Sequence, residues 1–208
     1  MYNIPHFKDK DPQVVVAFMK EHSFALLMGC AEDLPVVTQV PFLISERDNK
    51  LFLRGHIMRN TDHHKAFGNN HNVLCVFTGA HTHVSARLYN NPNTASTWNY
   101  MTVHARGQLS FLDTPALIEI LQETTDHYEA DEASPAAFRN LPASYIADLS
   151  KAITGFEIEV TSIEHVFKLS QNKSQAEYQR IASRLSESSE AARAIAGEMK
   201  KRKDDLYR

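Results

Sequence analysis

At 208 residues, 43% hydrophobic and 23% charged, the chain has ordinary globular composition and is long enough to bury a substantial core. Its formal charge of −3 gives no basic excess to attract nucleic acid irrespective of sequence; the one basic cluster, KKRK at 200–203, is followed at once by Asp204 and Asp205. No run approaches the roughly 18 apolar residues that span a bilayer, and the start, MYNIPHFKDKDPQ, lacks the apolar centre and cleavage site of a signal peptide, so the expectation is a cytoplasmic protein without a membrane partner.

In chain order, Asp11 as cap and Pro12 at the first helical position open a helix over 11–22, with Val14, Val15, Phe18 and Met19 apolar. Three β-branched segments follow, SFALLMGCA, LPVVTQVPFLIS and KLFLRGHI, with turns at Glu32-Asp33 and Arg47-Asp48-Asn49; they read as an antiparallel meander. MRNTDHHKAFGNN reads as a short helix ending near Gly68. NVLCVFTG and HTHVSAR read as two further strands, and WNYMTVHARGQLSFLD as a long one in which Gly107 predicts a bulge or bend. Thr114 as cap and Pro115 at the first helical position open a helix over 114–129, with Leu117, Ile120 and Leu121 on one face. Shorter helical pieces at 134–140 and 141–153 precede a last strand, GFEIEVTSIEHVFKLS. From Ser174 onward, Ile181, Leu185, Ala192, Ile195 and Met199 recur at near-helical spacing. Cys30 and Cys75, in LLMGCA and VLCVF, read as buried, reduced thiols.

About six strands interrupted by short helices predict an α+β, mainly β fold: a closed or partly closed antiparallel barrel with peripheral helices. The domain is expected over 1–173, with 174–208 as a helical extension of it. The seven glycines contain no G-x-G pair, so neither the Rossmann loop nor the Walker loop is present, and a nucleotide-type cofactor must be held by side chains. Nucleophilic hydrolysis has no support: G-x-S-x-G is absent and neither cysteine has basic neighbours.

Seven of the eleven histidines, His56, His63, His64, His71, His81, His83 and His104, fall in the middle of the chain. In LFLRGHIMRNTDHHKAF a strand ends at Arg54, Gly55 and His56, and a short helix follows with Arg59, Asn60, His63 and Lys65. A helix start beside Arg and Lys suits a phosphate dianion; a solvated polar helix is the other reading. His81-x-His83 puts two imidazoles on one strand face, for zinc or iron with His104 or His56, or for a hydrogen-bonding pocket. Trp98, the only tryptophan, stands between Thr97 and Asn99 as a core anchor or a pocket wall; Ser85 and Tyr89 are possible ligand donors or ordinary strand residues. In KLSQNKS, Lys168, Ser170, Gln171 and Asn172 form a second polar cluster or plain turn chemistry.

Taken in order, Met-Tyr-x-Ile-Pro, Ser23-Phe24, Pro41-Phe42-Leu43, Gly55-His56 with Arg59 and Lys65, Gly79-x-His81, Thr97-Trp98-Asn99-Tyr100 with Val103-His104, Gly155-Phe156-Glu157-Ile158 and Lys168-Leu169-Ser170-Gln171-Asn172 resemble the PaiB family of FMN-binding negative transcriptional regulators. The resemblance runs to about residue 185. It implies a split β-barrel of the flavin reductase and pyridoxamine-phosphate oxidase type, a homodimer, and FMN at the subunit interface. It implies that Arg54, Gly55, His56, Arg59, Asn60 and Lys65 surround the FMN phosphate and ribityl chain. Thr97, Trp98 and Asn99 would lie near the flavin, and Lys168, Ser170 and Gln171 would close the site. DNA enters as a partner through the resemblance alone, against the charge. Two other readings stay open: an FMN-dependent oxidoreductase or flavin reductase, and a haem- or metal-binding protein using the extra histidines His64 and His83. The chain departs from the family in running Asn60-Thr61-Asp62 after Arg59, in placing His83 where an aromatic is usual, and in placing His64 where a tryptophan precedes Lys65.

Overall fold

The computed structural model describes residues 1–91, 93–131 and 133–207. Seven strands form one sheet in the order β2-β1-β5-β6-β7-β4-β3: β1 (Phe24–Ala31), β2 (Leu34–Pro41), β3 (Leu43–Arg47), β4 (Lys50–Met58), β5 (Asn72–Val84), β6 (Thr97–Phe111) and β7 (Ile153–Lys168). Six helices accompany them: α1 (Pro12–Glu21), α2 (Asp62–Asn69), α3 (Thr114–Glu129), α4 (Ala143–Ala152), α5 (Gln175–Ser186) and α6 (Glu190–Leu206). The expected strand 34–45 is two strands, and the two expected strands at 72–79 and 81–87 are one, β5.

The outermost strands of this order, β2 and β3, are separated by Phe42 alone. Consecutive Cα atoms lie about 3.8 Å apart, so the two ends of the sheet must return to one another. The sheet is therefore rolled. Phe42 is buried at this join, with its ring centroid 5.6 Å from Phe77 and 6.0 Å from Phe156.

The chain divides into two compact units, the first comprising Met1–Val16, Thr78–Val103 and Glu164–Arg208, the second Ala17–Phe77 and His104–Ile163. In the second unit, β1 pairs antiparallel with β2 and β5, and β4 with β3 and β7. Period-2 burial shows in β4, where Leu51, Leu53, Gly55 and Ile57 face inward. The same alternation corrects the reading of Cys30. Ala25 and Leu27 take the inner face of β1, so Cys30 falls on the outer one and is exposed. Cys75 is buried as expected, and burial pushes its thiol pKa up. Gly107 serves close approach: a Cβ there would stand 2.4 Å from the Glu159 carbonyl oxygen on β7. The cap of α3 is Asp113, whose carboxylate accepts from the Ala116 N–H at 3.1 Å, with Thr114 already helical.

In the first unit, Ser174 caps α5 in a capping box with Glu177, and Ser189 caps α6. Tyr178, Ile181, Ala182 and Leu185 of α5, with Ala192, Ile195, Ala196 and Met199 of α6, are buried, the i, i+3, i+4, i+7 stripe of two helices with an apolar face. Each large side chain so buried contributes about 1.5–3 kcal/mol. The Tyr178 hydroxyl donates to the Met199 carbonyl at 2.9 Å, so burying a phenol strands no polar group.

Candidate functional site

In the second unit the polar residues of β4 share one face. Arg54 and His56 alternate with the buried Leu53, Gly55 and Ile57. The Arg54 guanidinium donates through Nη2 to Glu123 Oε2 at 2.6 Å, yet its Nε is buried without a hydrogen-bond partner, and so is His56 Nδ1. Burial lowers the His56 pKa, so near neutral pH the imidazole is uncharged, with one nitrogen to donate and one to accept. Two orphaned polar atoms on one strand face are unusual, because a buried group of this kind costs about 1–3 kcal/mol when unpaired. Gly55 has a packing duty: a Cβ there would lie 2.9 Å from the Phe156 ring and 3.2 Å from the Pro41 carbonyl oxygen.

After β4 the chain turns through Asn60 in the left-handed region, φ 62°, and enters α2. The helix start is already satisfied locally. Thr61 Oγ1 accepts from the His64 N–H at 3.2 Å, and Asp62 Oδ1 accepts from the His63 N–H at 2.7 Å. A phosphate here depends on side chains more than on free amides. Those side chains are available: Arg59 and Lys65 are both exposed, and neither forms a side-chain hydrogen bond or ion pair among the described residues. Their field is felt at His64, whose pKa falls mainly through burial and then through Arg59, His63 and Lys65. His64 itself accepts from the Asn60 N–H at 3.3 Å and lies 5.1 Å from the Phe111 ring, which gives it a role in holding the turn.

In the first unit the period of β6 separates residues that are adjacent in sequence. Thr97 and Asn99 face one way, Trp98 and Tyr100 the other. Lys168 Nζ donates to Thr97 Oγ1; Ser170 Oγ donates to Asn99 Oδ1 at 3.1 Å; and Asn99, fully buried, places its amide 3.7 Å from Met199 Sδ. The structure thus gathers Thr97, Asn99, Lys168 and Ser170. Gln171 is turned to a local task, accepting from the Leu169 N–H at 2.7 Å and donating to the Phe167 carbonyl. Trp98 is 52% exposed on the opposite face, with the His81 and His83 rings 6.0 and 5.8 Å away. It shares no wall with Thr97 and Asn99 within one chain. Among the described residues no three His, Cys, Asp or Glu stand close enough together to hold a metal. No helix among them is long and apolar enough to cross a membrane.

Sequence reasoning missed Tyr2, Phe7 and Lys173, which line the same cleft as Thr97 and Lys168. A Met-Tyr-x-Ile-Pro start gives no periodic signal that would place it there; only the tertiary fold does.

Residues 1–162 match the family described as "Putative FMN-binding domain". The chain belongs to this family. FMN is accordingly its cofactor, and Arg54 Nε, His56 Nδ1, Arg59 and Lys65 form a donor set that suits a phosphate and a polyol. Among curated relatives, the chain is 29% identical over 185 residues to "Protease synthase and sporulation protein PAI 2" of Bacillus subtilis, covering 89% of each. Among solved structures it is similar to the FAD and heme binding protein of Mycobacterium smegmatis (TM-score 0.55, 13% identity, 77% of this chain and 72% of that one). It is also similar to the flavocytochrome Anf3 of Azotobacter vinelandii (TM-score 0.53, 17% identity, 76% of this chain and 68% of that one). These likenesses give the fold: α+β, mainly β, of the flavin-binding split-barrel type.

Proposed function

We propose that FMN is held in this protein through residues 54–65, its phosphate by Arg59 and Lys65 and its polyol by His56 and Arg54, at the interface of a homodimer. The observation that carries the reading is the pair of orphaned atoms, Arg54 Nε and His56 Nδ1, on the strand that leads to two unpaired cations. When bound, FMN supplies reversible electron transfer. The chain's own part is to anchor the phosphate, to satisfy hydroxyls with a neutral imidazole and a guanidinium, and to keep that strand face from water. Titrating purified protein with FMN, followed by flavin fluorescence and the visible spectrum, tests this; no quenching at micromolar FMN would overturn it. A Soret band in its place would favour haem, which the mycobacterial neighbour is named for binding.

Asp62 stands against the phosphate. Its carboxylate lies at the start of α2, and the His63 N–H holds its pKa below the ordinary range, so it stays charged. Asp62→Asn is expected to tighten FMN binding a few-fold at low ionic strength, with the gain shrinking in about 0.5 M salt, because the Debye length falls from about 10 Å at 0.1 M toward about 3 Å at 1 M. A titration at the two salt concentrations decides it.

For the homodimer, the exposed Trp98 with His81, His83 and Tyr100 offers an apolar and aromatic contact face. Trp98→Ala should leave monomer stability within about 0.5–1 kcal/mol, since half of the ring is already in water, but should shift the dimer toward monomer in light scattering. An unchanged dimer would place the interface elsewhere. On activity, we infer a flavin redox module, either an oxidoreductase or a redox sensor, located in the cytoplasm. A regulatory role is the second reading. It is favoured by the name of the Bacillus relative, which ties that protein to protease synthesis and sporulation, and a net charge of −3 favours an indirect route over operator binding.

A further inference from the structure

A second set of unspent polar groups lies wholly within the first unit. An open cleft of about 380 Å3 is lined on its apolar side by Tyr2, Phe7 and Tyr89 and on its polar side by Thr97, Lys168 and Lys173. That volume falls within the usual range of small-molecule sites, which combine apolar walls with a few convergent polar groups.

Neither lysine forms a direct ion pair with a carboxylate among the described residues. Lys168 is only partly exposed; its Nζ touches Thr97 Oγ1 and lies 5.8 Å from the Phe7 ring centroid, and no carboxylate pairs with it among the described residues. Burial accordingly lowers its pKa. Lys173 Nζ sits 3.6 Å over the Tyr89 ring. Glu177, whose charge Lys173 helps to stabilise, has its carboxylate hydrogen-bonded by the Asn90 N–H at 2.8 Å and by Ser174.

The backbone between the lysines is strained to hold them there. Ser170 has φ 65° without being glycine or asparagine, a left-handed conformation that such a side chain rarely adopts. Its side chain is buried against Asn99, its carbonyl accepts from the Lys173 N–H at 3.0 Å, and Gln171 clasps the turn. The turn therefore brings residues 168 and 173 to one cleft, where neither is directly ion-paired to a carboxylate among the described residues.

We propose that this cleft binds a small organic anion, a carboxylate or phosphate monoester on a flat aromatic body, held by Lys168, Lys173 and Thr97 with the body against Tyr2, Phe7 and Tyr89. The assignment leaves FMN to residues 54–65 and is independent of them. The probe is phenyl phosphate, titrated by calorimetry into protein saturated with FMN, with benzyl alcohol as the neutral comparator. Saturable binding is expected for phenyl phosphate, with benzyl alcohol at least about tenfold weaker. Lys168→Met should weaken phenyl phosphate by roughly tenfold or more and Lys168→Arg by only a few-fold. Thr97→Val, which keeps the shape of the side chain, should weaken it to a smaller degree and guards against a Lys168→Met variant that folds badly. No saturation by about 10 mM, or equal binding of benzyl alcohol, would overturn the proposal. So would loss of FMN together with phenyl phosphate in folded Lys168→Met, which would make the cleft part of the flavin site. A protein that takes up phenyl phosphate but no FMN would sink the flavin assignment and leave this one standing.

Discussion

Gly107→Ala is expected to destabilise the protein by about 3 kcal/mol or more, a fall in Tm of roughly 10 °C. A Cβ at this position of β6 would stand 2.4 Å from the Glu159 carbonyl oxygen, 2.5 Å from Ile158 Cγ2 and 3.1 Å from the Glu159 carbonyl carbon. Two of the three atoms are backbone of β7, so no rotamer change relieves the contact. Relief requires β6 and β7 to separate, and β7 also carries the register with β4 from Phe52↔Glu159 to Met58↔Ile153. Damage at Gly107 thus reaches the strand that holds Arg54 and His56. Gly197→Ala is the control: nothing lies within 4 Å of its Cβ, and it sits inside α6. There the methyl group should stabilise by up to about 1 kcal/mol through helix propensity alone. Urea midpoints of the two variants should move in opposite directions; a Gly107→Ala midpoint equal to the parent's would show that the strands yield at no cost.

The difference between these two glycines marks what a sequence can carry. Helix-period residues from Ile181 to Met199 announce α5 and α6, because the 3.6-residue repeat and the Ser caps are local. The period-2 signal of β6 is equally local, and it already separates Thr97 and Asn99 from Trp98. Other features are set by partners remote in sequence. Gly107 reads as a bulge until β7 is seen to crowd it, and LPVVTQVPFLIS reads as one strand until Phe42 is seen joining the two edges of the sheet. The Pro at 41, which cannot donate to a ladder, was the available hint. Cys30 looked buried by its neighbours' hydrophobicity, but the strand face decides exposure. For the candidate sites, residues 54–65 were visible because strand, turn and helix follow one another in the chain. The cleft around Lys168 was only half visible. Its apolar side comes from Tyr2, Phe7 and Tyr89, all remote in sequence from the lysine they shelter.

Arg59→Ala combined with Lys65→Ala should weaken FMN binding by two orders of magnitude or so. Charge-assisted hydrogen bonds to a phosphate are each worth about tenfold to a hundredfold when shielded, and both side chains here are exposed, which places each near the lower figure. The two losses should combine at slightly less than their product, because each cation remaining after a single substitution still serves the same dianion. Riboflavin, which carries the ring and polyol without the phosphate, separates contact from collapse: its affinity should be the same in the parent and in the double variant. Salt gives a second signature. Raising ionic strength should weaken FMN binding to the parent but not to the double variant, in which the attraction of the two cations is gone and the Asp62 repulsion remains. Loss of riboflavin along with FMN would mean that the substitutions damage the turn at Asn60 and α2. Retention of FMN at the parent's affinity would mean that the phosphate is held elsewhere. The remaining donors, Arg54 Nε and His56 Nδ1, would then need a partner other than the flavin to account for two buried polar atoms left unpaired on one face of β4.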